Sequence, residues 1–433
     1  MLARLLGMVA LIAAILTPGI GVAQPTSRVV VGASNSPAAT FSARSPGKAF
    51  TILADKAEIA AGDLLVSLPG GALTSKNGAV AVKSFADFDA RSPMPILETA
   101  LTLAEPKDAD LDLTLDRGRV DLRNAKAEGS ATVRVRFWDQ SWKIVLDSPN
   151  TRVAVELYGR WPSGSRFKPA EPNADPAKAP IPVASLVFLV LEGSASVDLG
   201  GNTVAMRAPP GPAELRWNSV IGARPQPLKL EKLPVWADAN AELSASGKKV
   251  AVACEKFRKA RAEDATKALD AFLASADAVE VHVALVTLAA TDELERLAKS
   301  LVSAKTVEEW DFGVTVLRHW LGRGRGQDQR LYEFLTTRRS YTATQAEILI
   351  QLLFGFAAEA LAEPETYEVL IDYLGHEKPG IRNIAQWHLV RLVPQGKSIK
   401  FKPDGTTDDA EECQAAWKKL VPSGQLPPMP KKD

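Results

Sequence analysis

Residues 111–158 alternate between apolar and polar side chains more regularly than the rest of the chain. The apolar rows are Leu111, Leu113 and Leu115; Val133, Val135 and Phe137; Trp142, Ile144 and Leu146; and Val153, Val155 and Leu157. A period of two places each apolar row on one face of a strand and the polar row on the other. Four such rows predict an antiparallel sheet with one solvated face. We expect its tight turns at Arg117-Gly118 and at Asp139-Gln140.

Length and composition set the class of protein. The chain has 433 residues, of which 46% are hydrophobic and 24% are charged. This composition is that of folded globular protein, and the length allows two or three domains, each with its own core. The formal net charge is +1, so the basic excess typical of nucleic-acid-binding proteins is missing.

The first residues have the pattern of a secretory signal peptide. Arg4 is followed by an apolar run over residues 5–16, by Pro18-Gly19, and by the small residues of Gly21-Val22-Ala23. The run is shorter than the roughly 20 apolar residues that span a bilayer. We therefore predict residues 1–23 as a signal peptide cut after Ala23, and a periplasmic or secreted chain without a transmembrane anchor.

Local signals divide the remaining chain. Residues 24–57 are rich in Ser, Ala, Pro and Gly, and we expect a disordered lead-in there. Strand patterns then run over residues 58–221, with a hairpin signal at Asn77-Gly78. Residues 162–182 contain six prolines and interrupt the strands. This segment is predicted either as an insertion in one β-domain or as a joint between two β-subdomains.

Beyond a proline-containing linker at residues 222–248, the apolar period changes from 2 to 3.6. Residues 249–421 are predicted as helices, and residues 422–433 as a tail. The predicted helix starts are the capping pairs Asp292/Glu295, Thr306/Glu309 and Thr344/Glu347, and the prolines Pro364 and Pro379. Amphipathic helices with short joints predict an array of α-hairpins.

Two family resemblances rest on particular phrases. The segments 115–120 (LDRGRV) and 191–197 (LEGSASV) resemble the leucine, turn, glycine, valine rhythm of FecR-like extracytoplasmic β-domains. The pair of helices at 365–374 and 379–393, with Arg382 early in the second, is similar to a HEAT-type repeat. The resemblance implies a twisted antiparallel, solenoid-like or sandwich all-β domain followed by an all-α HEAT-like array, as in exported bacterial proteins of unassigned function. Signalling FecR proteins also handle a sigma factor, and we do not expect that role here.

Local motifs for catalysis or metal binding are weak. Asp108, Asp110 and Asp112 have Leu and Arg where a calcium loop needs Gly and Glu, so they are predicted as the solvated face of a strand. Residues 322–326 (GRGRG) follow a helix and lack the Lys-Ser/Thr of a P-loop, which favours a helix–helix turn. The four histidines lack zinc spacing, and the chain has no G-x-S-x-G. We expect no catalytic residue, metal or cofactor.

A few residues are candidates for binding or cross-linking. Trp138 and Trp161 lie beside the central strands, where exposed rings could stack on sugars or contact a protein. Arg323 and Arg325 could form part of an anion-binding surface. Cys254 and Cys413 are the only cysteines and could form one disulfide.

These observations favour an exported, non-enzymatic envelope protein that binds or scaffolds other proteins through its β-domain and helical array. The alternative is a protein that binds carbohydrate or cell wall through exposed tryptophans. A hydrolase whose two carboxylates are brought together only by the fold is a third hypothesis.

Overall fold

The structure, a computed structural model, describes residues 28–87, 92, 94, 96–171, 179–222, 224–238, 241–302, 306–403 and 405–428. A sheet-rich region runs to residue 230, and a helical region follows from residue 245. The predicted signal peptide and its cleavage site at Ala23 lie outside the described residues. None of the helices in the described part of the chain is both long and apolar enough to cross a membrane.

The sheet-rich region contains β1 to β17. Their bounds are β1 Val30–Ser34, β2 Phe41–Arg44, β3 Thr51–Ile52, β4 Glu58–Ala60, β5 Leu64–Ser67, β6 Ala72–Ser75, β7 Val80–Phe85, β8 Thr99–Ala104, β9 Leu111–Asn124, β10 Ala131–Phe137, β11 Gln140–Leu146, β12 Arg152–Arg160, β13 Val183–Glu192, β14 Ser194–Asp198, β15 Thr203–Arg207, β16 Gly211–Asn218 and β17 Leu228–Leu230.

The strands form two sheets that share β9. Sheet A has the order β4-β1-β6-β7-β9-β12-β13-β16-β17, and sheet B has the order β3-β2-β5-β8-β9-β10-β11-β14-β15. The apolar rows predicted from the period of two point into one core between the sheets, as Leu113, Val133, Ile144 and Val155 show. The sequence pattern predicts antiparallel strands throughout, but β9 and β10 pair in parallel.

Strand β9 changes sheets at Gly118. Residues before it pair with β8 and β10, and residues after it pair with β7 and β12. Gly118 has a φ of 88°, and the register with β8 slips between Ala100 and Leu101, which defines a β-bulge. The predicted turn at Arg117-Gly118 is therefore wrong, because the glycine bends one long strand instead of ending it. The Asn77-Gly78 turn between β6 and β7 is present as predicted.

Two segments that were expected to lack regular structure contribute to the sheets. Residues 30–52, within the predicted disordered lead-in, form β1, β2 and β3, since Val31 and Phe41 are buried in the sheet core. The predicted linker at 222–248 contains β17, a 3₁₀ turn at Val235–Ala237 and the start of α1. Leu230 and Trp236 of this segment pack on the outer side of sheet A. Apolar anchors thus override a local composition that favours loops.

The helical region contains α1 Ala245–Glu263, α2 Ala265–Leu273, α3 Ala278–Ala290, α4 Leu294–Val302, α5 Val307–Gly322, α6 Gln327–Arg338, α7 Ala343–Phe354, α8 Ala358–Leu361, α9 Pro364–Tyr373, α10 Pro379–Leu392 and α11 Thr407–Leu420. Sequential neighbours pack in pairs, such as α1 with α2 and α9 with α10, and α10 also packs on α7. Together they enclose one continuous helical core.

Several predicted helix starts are confirmed and two are wrong. The side chain of Thr306 caps α5, and Pro364 and Pro379 occupy the first turns of α9 and α10. The cap of α7 is Thr342 with Gln345, two residues before the predicted pair Thr344/Glu347. Asp292 does not cap α4, because its backbone is left-handed, with a φ of 64°, and its carboxylate binds arginines instead.

The proline-rich segment is an insertion, because β12 and β13 pair directly on either side of it. The part of the chain that leads from β12 into this segment packs against the helical region. The indole Nε1 of Trp161 donates to the carbonyl oxygen of Leu321 at 3.1 Å, and the Phe167 amide donates to Gln351 at 3.2 Å. Both aromatic rings belong to the helical core. Trp161 and the start of the insertion therefore attach the β-region to α5 and α7.

A buried charged cluster joins the two regions. Arg117 Nε donates to Glu98 Oε1 at 2.6 Å, and Arg117 Nη2 donates to the carbonyl oxygen of Ala290 at 3.2 Å. His319 Nε2 lies 3.1 Å from Glu98 Oε2, and its ring stacks on Tyr158. The pKa of Glu98 is held well below its usual range because the attraction of His319 and Arg117 outweighs the cost of burial. Since the cluster is closed to solvent, we regard it as structural.

Candidate functional site

A groove of about 870 Å³ lies on the outer face of sheet A. We call it the sheet A groove. Its floor is formed by outward-facing side chains of β7, β9 and β12, and one wall is formed by residues 235–238. The residues of the floor that carry charge or an aromatic ring are Lys83, Phe85, Arg119, Asp121, Arg123 and Arg152.

Strand register brings these side chains together. Arg119 of β9 lies between Phe85 of β7 and Glu156 of β12. Two residues further along β9, Asp121 pairs with Lys83 of β7. Residues of β9 that alternate with the buried Val120 and Leu122 point outward, so the period of two fixes which side chains line the floor. The result is a floor of mixed charge on a rigid sheet.

Arg119 connects the floor to the wall. Its Nη1 atom donates to the carbonyl oxygen of Trp236 at 2.7 Å. Its guanidinium carbon lies 4.7 Å from the centre of the Phe85 ring and 4.8 Å from that of Trp236. Arginine between two aromatic rings is favoured by cation–π attraction. This sandwich fixes the segment 235–238 in place as the wall.

Asp121 is the least well satisfied group of the floor. Its side chain is 6% exposed, and the Nε atoms of Arg119 and Arg152 lie 3.6 and 3.7 Å from its oxygens, beyond good hydrogen-bond length. Burial raises the pKa of Asp121 despite the attraction of Arg119 and Arg152. Asp121 Oδ1 and both Nε atoms lack hydrogen-bond partners. Since an unsatisfied buried polar atom costs about 1–3 kcal/mol, a bound polar group that reached them would be favoured.

Glu156 lies in the same outward row as Arg119 and is buried. Ser92 Oγ donates to its Oε1 atom at 2.8 Å, and its Oε2 atom has no partner. Burial raises the pKa of Glu156 to about 7, against a smaller opposing effect of the Ser92 hydrogen bond and of Arg119. Glu156 is thus a carboxyl group that gains and loses its proton near neutral pH.

The structure does not bring the predicted binding residues together. Trp161 is buried, which contradicts its predicted role as an exposed ring. Trp138 is partly buried against the sheet core and begins the turn between β10 and β11, with a φ of 52°. Its left-handed backbone reverses the chain one residue earlier than the predicted turn at Asp139-Gln140.

The two predicted arginines differ from each other. The side chain of Arg323 is 8% exposed, and it pairs with Asp292 and donates to the carbonyl oxygen of Ala289 at 2.9 Å. Both partners lie in the helical region, so Arg323 is bound there and does not form an anion-binding surface. Arg325 is exposed in the glycine-containing turn between α5 and α6, where the predicted helix–helix turn is confirmed.

The cysteines and the predicted calcium-like aspartates also have simple environments. Cys254 and Cys413 are both free thiols, so the candidate disulfide is not formed. Asp110, just before β9, pairs with Lys126 at 2.9 Å, and Asp112 pairs with Arg136 at 2.6 Å. Asp112 is only 4% exposed, so the predicted solvated strand face is wrong at this residue. No group of three or more His, Cys, Asp or Glu side chains that could hold a metal ion occurs among the described residues.

The residues of the sheet A groove did not emerge from the sequence. The available signal was the alternation of Arg119, Asp121 and Arg123, which was broken in our prediction by the supposed turn at Gly118. Comparisons with protein-family models, with curated proteins and with solved structures find no match for the chain. The site must therefore be interpreted from its own geometry.

Proposed function

We propose that the chain is an exported, non-enzymatic envelope protein that binds a segment of a partner protein in the sheet A groove. In this proposal a FecR-like β-domain supplies the groove, and a HEAT-like helical array supports it. The observation that carries the proposal is the groove of about 870 Å³, which presents the exposed donors of Lys83 and Arg123 on its floor and the exposed carboxylate of Glu192 at its edge. An extended peptide carries backbone donors and acceptors in alternation, and it can satisfy such a floor.

The charges of the groove favour a polar partner. Lys83 and Arg123 are exposed at its floor, and Glu192 lies at its edge beyond Arg152. Mixed charges contribute more to the choice and orientation of a partner than to affinity. Trp236 and Phe85 add apolar area of the kind found at binding hot spots. A segment with both acidic and basic side chains fits this surface best.

The test is capture of a partner from envelope extract by the mature chain, residues 24–433, with a groove variant in parallel. Lys83→Glu combined with Arg123→Glu should abolish the captured species, because the two exposed basic charges of the floor are reversed. Lys418→Glu, an exposed reversal on α11, should leave it unchanged. Equal capture by all three proteins, or no species above background, would contradict the proposal.

Glycan binding is the second candidate function, since Phe85 and Trp236 place two aromatic rings in the same groove. Retention of the wild-type protein on purified peptidoglycan or polysaccharide would support it, provided that Trp236→Ala weakens retention. Trp138→Ala tests whether the partly buried ring at the β10–β11 turn contributes. Retention that neither substitution changes would argue against stacking on these rings.

A further inference from the structure

Arg261, in the last turn of α1, is a buried cation without a matching anion. Arg261 is 6% exposed, and its Nη2 atom donates to the Ser42 hydroxyl at 2.5 Å. Its guanidinium carbon also lies 5.7 Å from the centre of the Phe257 ring. In the described chain no carboxylate lies within ion-pair distance of Arg261, and the Ser42 contact is its only hydrogen bond.

The absence of a counter-ion matters because buried charges in proteins are normally paired. Burial lowers the pKa of Arg261 to about 10, which leaves it charged at neutral pH. Arg323, whose side chain is 8% exposed, has Asp292 beside it. Arg261 is therefore a charge that the described fold itself does not neutralise.

Arg261 lines a largely apolar cavity between sheet B and helices α1, α3 and α5. The cavity has a volume of about 130 Å³, and its walls include Val66, Ile96, Val283 and Phe312. His282 also lines this cavity; its Nε2 atom has no hydrogen-bond partner, and its ring stacks on Phe312 with centres 3.9 Å apart. Burial lowers the pKa of His282, so the ring is neutral and can donate or accept one hydrogen bond.

Acidic groups also line this cavity, and their positions limit where an anion can lie. Glu98 is neutralised by Arg117 and His319, and the Asp87 carboxylate accepts from the Ser92 amide at 2.6 Å. Neither forms an ion pair with Arg261. The negative group of a ligand is thus expected at the Arg261 and Ser42 end, and the apolar part along the valines.

A second cavity gives access to Arg261 from outside. It measures about 380 Å³ and lies between β2, β3 and helices α1, α2 and α3. Arg261 and Ser42 line both cavities, and Arg44, Lys48 and Arg296 line the outer one. Lys48 is exposed, whereas Arg44 pairs with Asp292, and Arg296 pairs with Glu293 and Asp270. An anion that enters here reaches Arg261 where the two cavities meet.

From this arrangement we infer a binding site for a small monocarboxylate with an apolar tail of roughly six carbon atoms, since a cavity of about 150 Å³ accepts benzene. The carboxylate would accept hydrogen bonds from Arg261, whose planar fork matches two carboxylate oxygens. The tail would fill the cavity lined by Val66 and Val283. This inference does not depend on the sheet A groove, and either could fail without the other.

Isothermal titration calorimetry with hexanoate tests the inference on the full mature chain, with hexan-1-ol as the uncharged probe and hexylamine as the cationic one. Wild type should bind hexanoate more tightly than hexanol and should not bind hexylamine. Arg261→Gln should weaken hexanoate binding roughly 10- to 100-fold, the loss expected for a charged hydrogen-bonded contact, and should leave hexanol binding unchanged. Lys259→Gln, on the same helix but 70% exposed, should behave as wild type.

Thiol labelling locates the site without any substitution, in case Arg261→Gln does not fold. Cys254 lines the cavity, and Cys413 lies in α11. Bound hexanoate should slow alkylation of Cys254, measured by mass spectrometry, and should not change that of Cys413. The inference is overturned if wild type binds no hexanoate at millimolar concentration, if hexanol binds equally well, or if hexanoate fails to protect Cys254.

Discussion

The protonation of Glu156 leads to a quantitative prediction of how the free energy of unfolding depends on pH. The pKa of this carboxyl group is raised from 4.5 to about 7 in the folded protein by burial. Between these two values the folded state holds a proton that the unfolded state has released. Folding is therefore favoured by this proton below about pH 4.5, and the advantage is lost as pH rises through about 7. Above that pH the folded protein must bury a charged carboxylate.

Glu156→Gln removes this titration and preserves the size of the side chain. The span from 4.5 to about 7, at about 1.4 kcal/mol per pH unit, corresponds to about 3 kcal/mol. The glutamine oxygen can still accept from Ser92, whereas its NH₂ group would be a buried donor that costs about 1–3 kcal/mol at every pH. The quantity to measure is therefore how the difference in free energy of unfolding between variant and wild type changes with pH.

Urea unfolding followed by circular dichroism, at several values between about pH 4.5 and pH 8, gives this difference. The free energy of unfolding of the variant relative to wild type should rise by about 3 kcal/mol across the range. Other titrating groups cancel because both proteins contain them. Glu231→Gln, at a side chain that is 75% exposed, should give a flat difference. A flat difference for Glu156→Gln as well would refute the raised pKa.

Three further predictions concern the contact between the regions and the thiols. Trp161→Ala should lower the free energy of unfolding by about 3–5 kcal/mol in urea denaturation, because it removes a buried indole and its bond to Leu321; a loss below about 1 kcal/mol would show that the insertion is not anchored. Gly322→Ala should cost about 1–3 kcal/mol in the same assay, since its Cβ would lie 2.6 Å from the Arg160 Cα, and full stability would contradict this close approach. The melting temperature should be the same with and without reducing agent. Protein denatured without reducing agent should take up two alkyl groups, at Cys254 and Cys413; uptake of none would reveal a disulfide.

Local pattern predicted much of the fold because the relevant forces act between near neighbours. The row of Leu113 and Leu115 and the row of Val133 and Val135 are buried as their alternation indicates. Helix starts at Thr306 and Pro364 follow from capping and from the fixed φ of proline, which also depend on adjacent residues.

Features that depend on distant partners could not be predicted in this way. The role of Gly118 as a bulge depends on where β8 pairs, and that register is set by residues far away in the sequence. The sheet A groove depends in the same way on Lys83 meeting Asp121 across two strands. Trp161 was predicted to be exposed because it lies beside a proline-rich segment. Its ring is instead buried against helices α5 and α7, which are distant in the sequence.

The position of Arg117 on the strand that both sheets share has a consequence for dissecting the protein. Arg117 is hydrogen-bonded to Glu98, the residue before β8, and to the Ala290 carbonyl at the end of α3. A fragment that ended at residue 230, where the composition changes, would keep Arg117 and Glu98 and would lose Ala290 and His319. It would also leave Trp161 and Phe167 without the helices that cover them. The sheet-rich region is thus expected to be recovered as folded material only when both halves are made as one chain or mixed as complementary fragments.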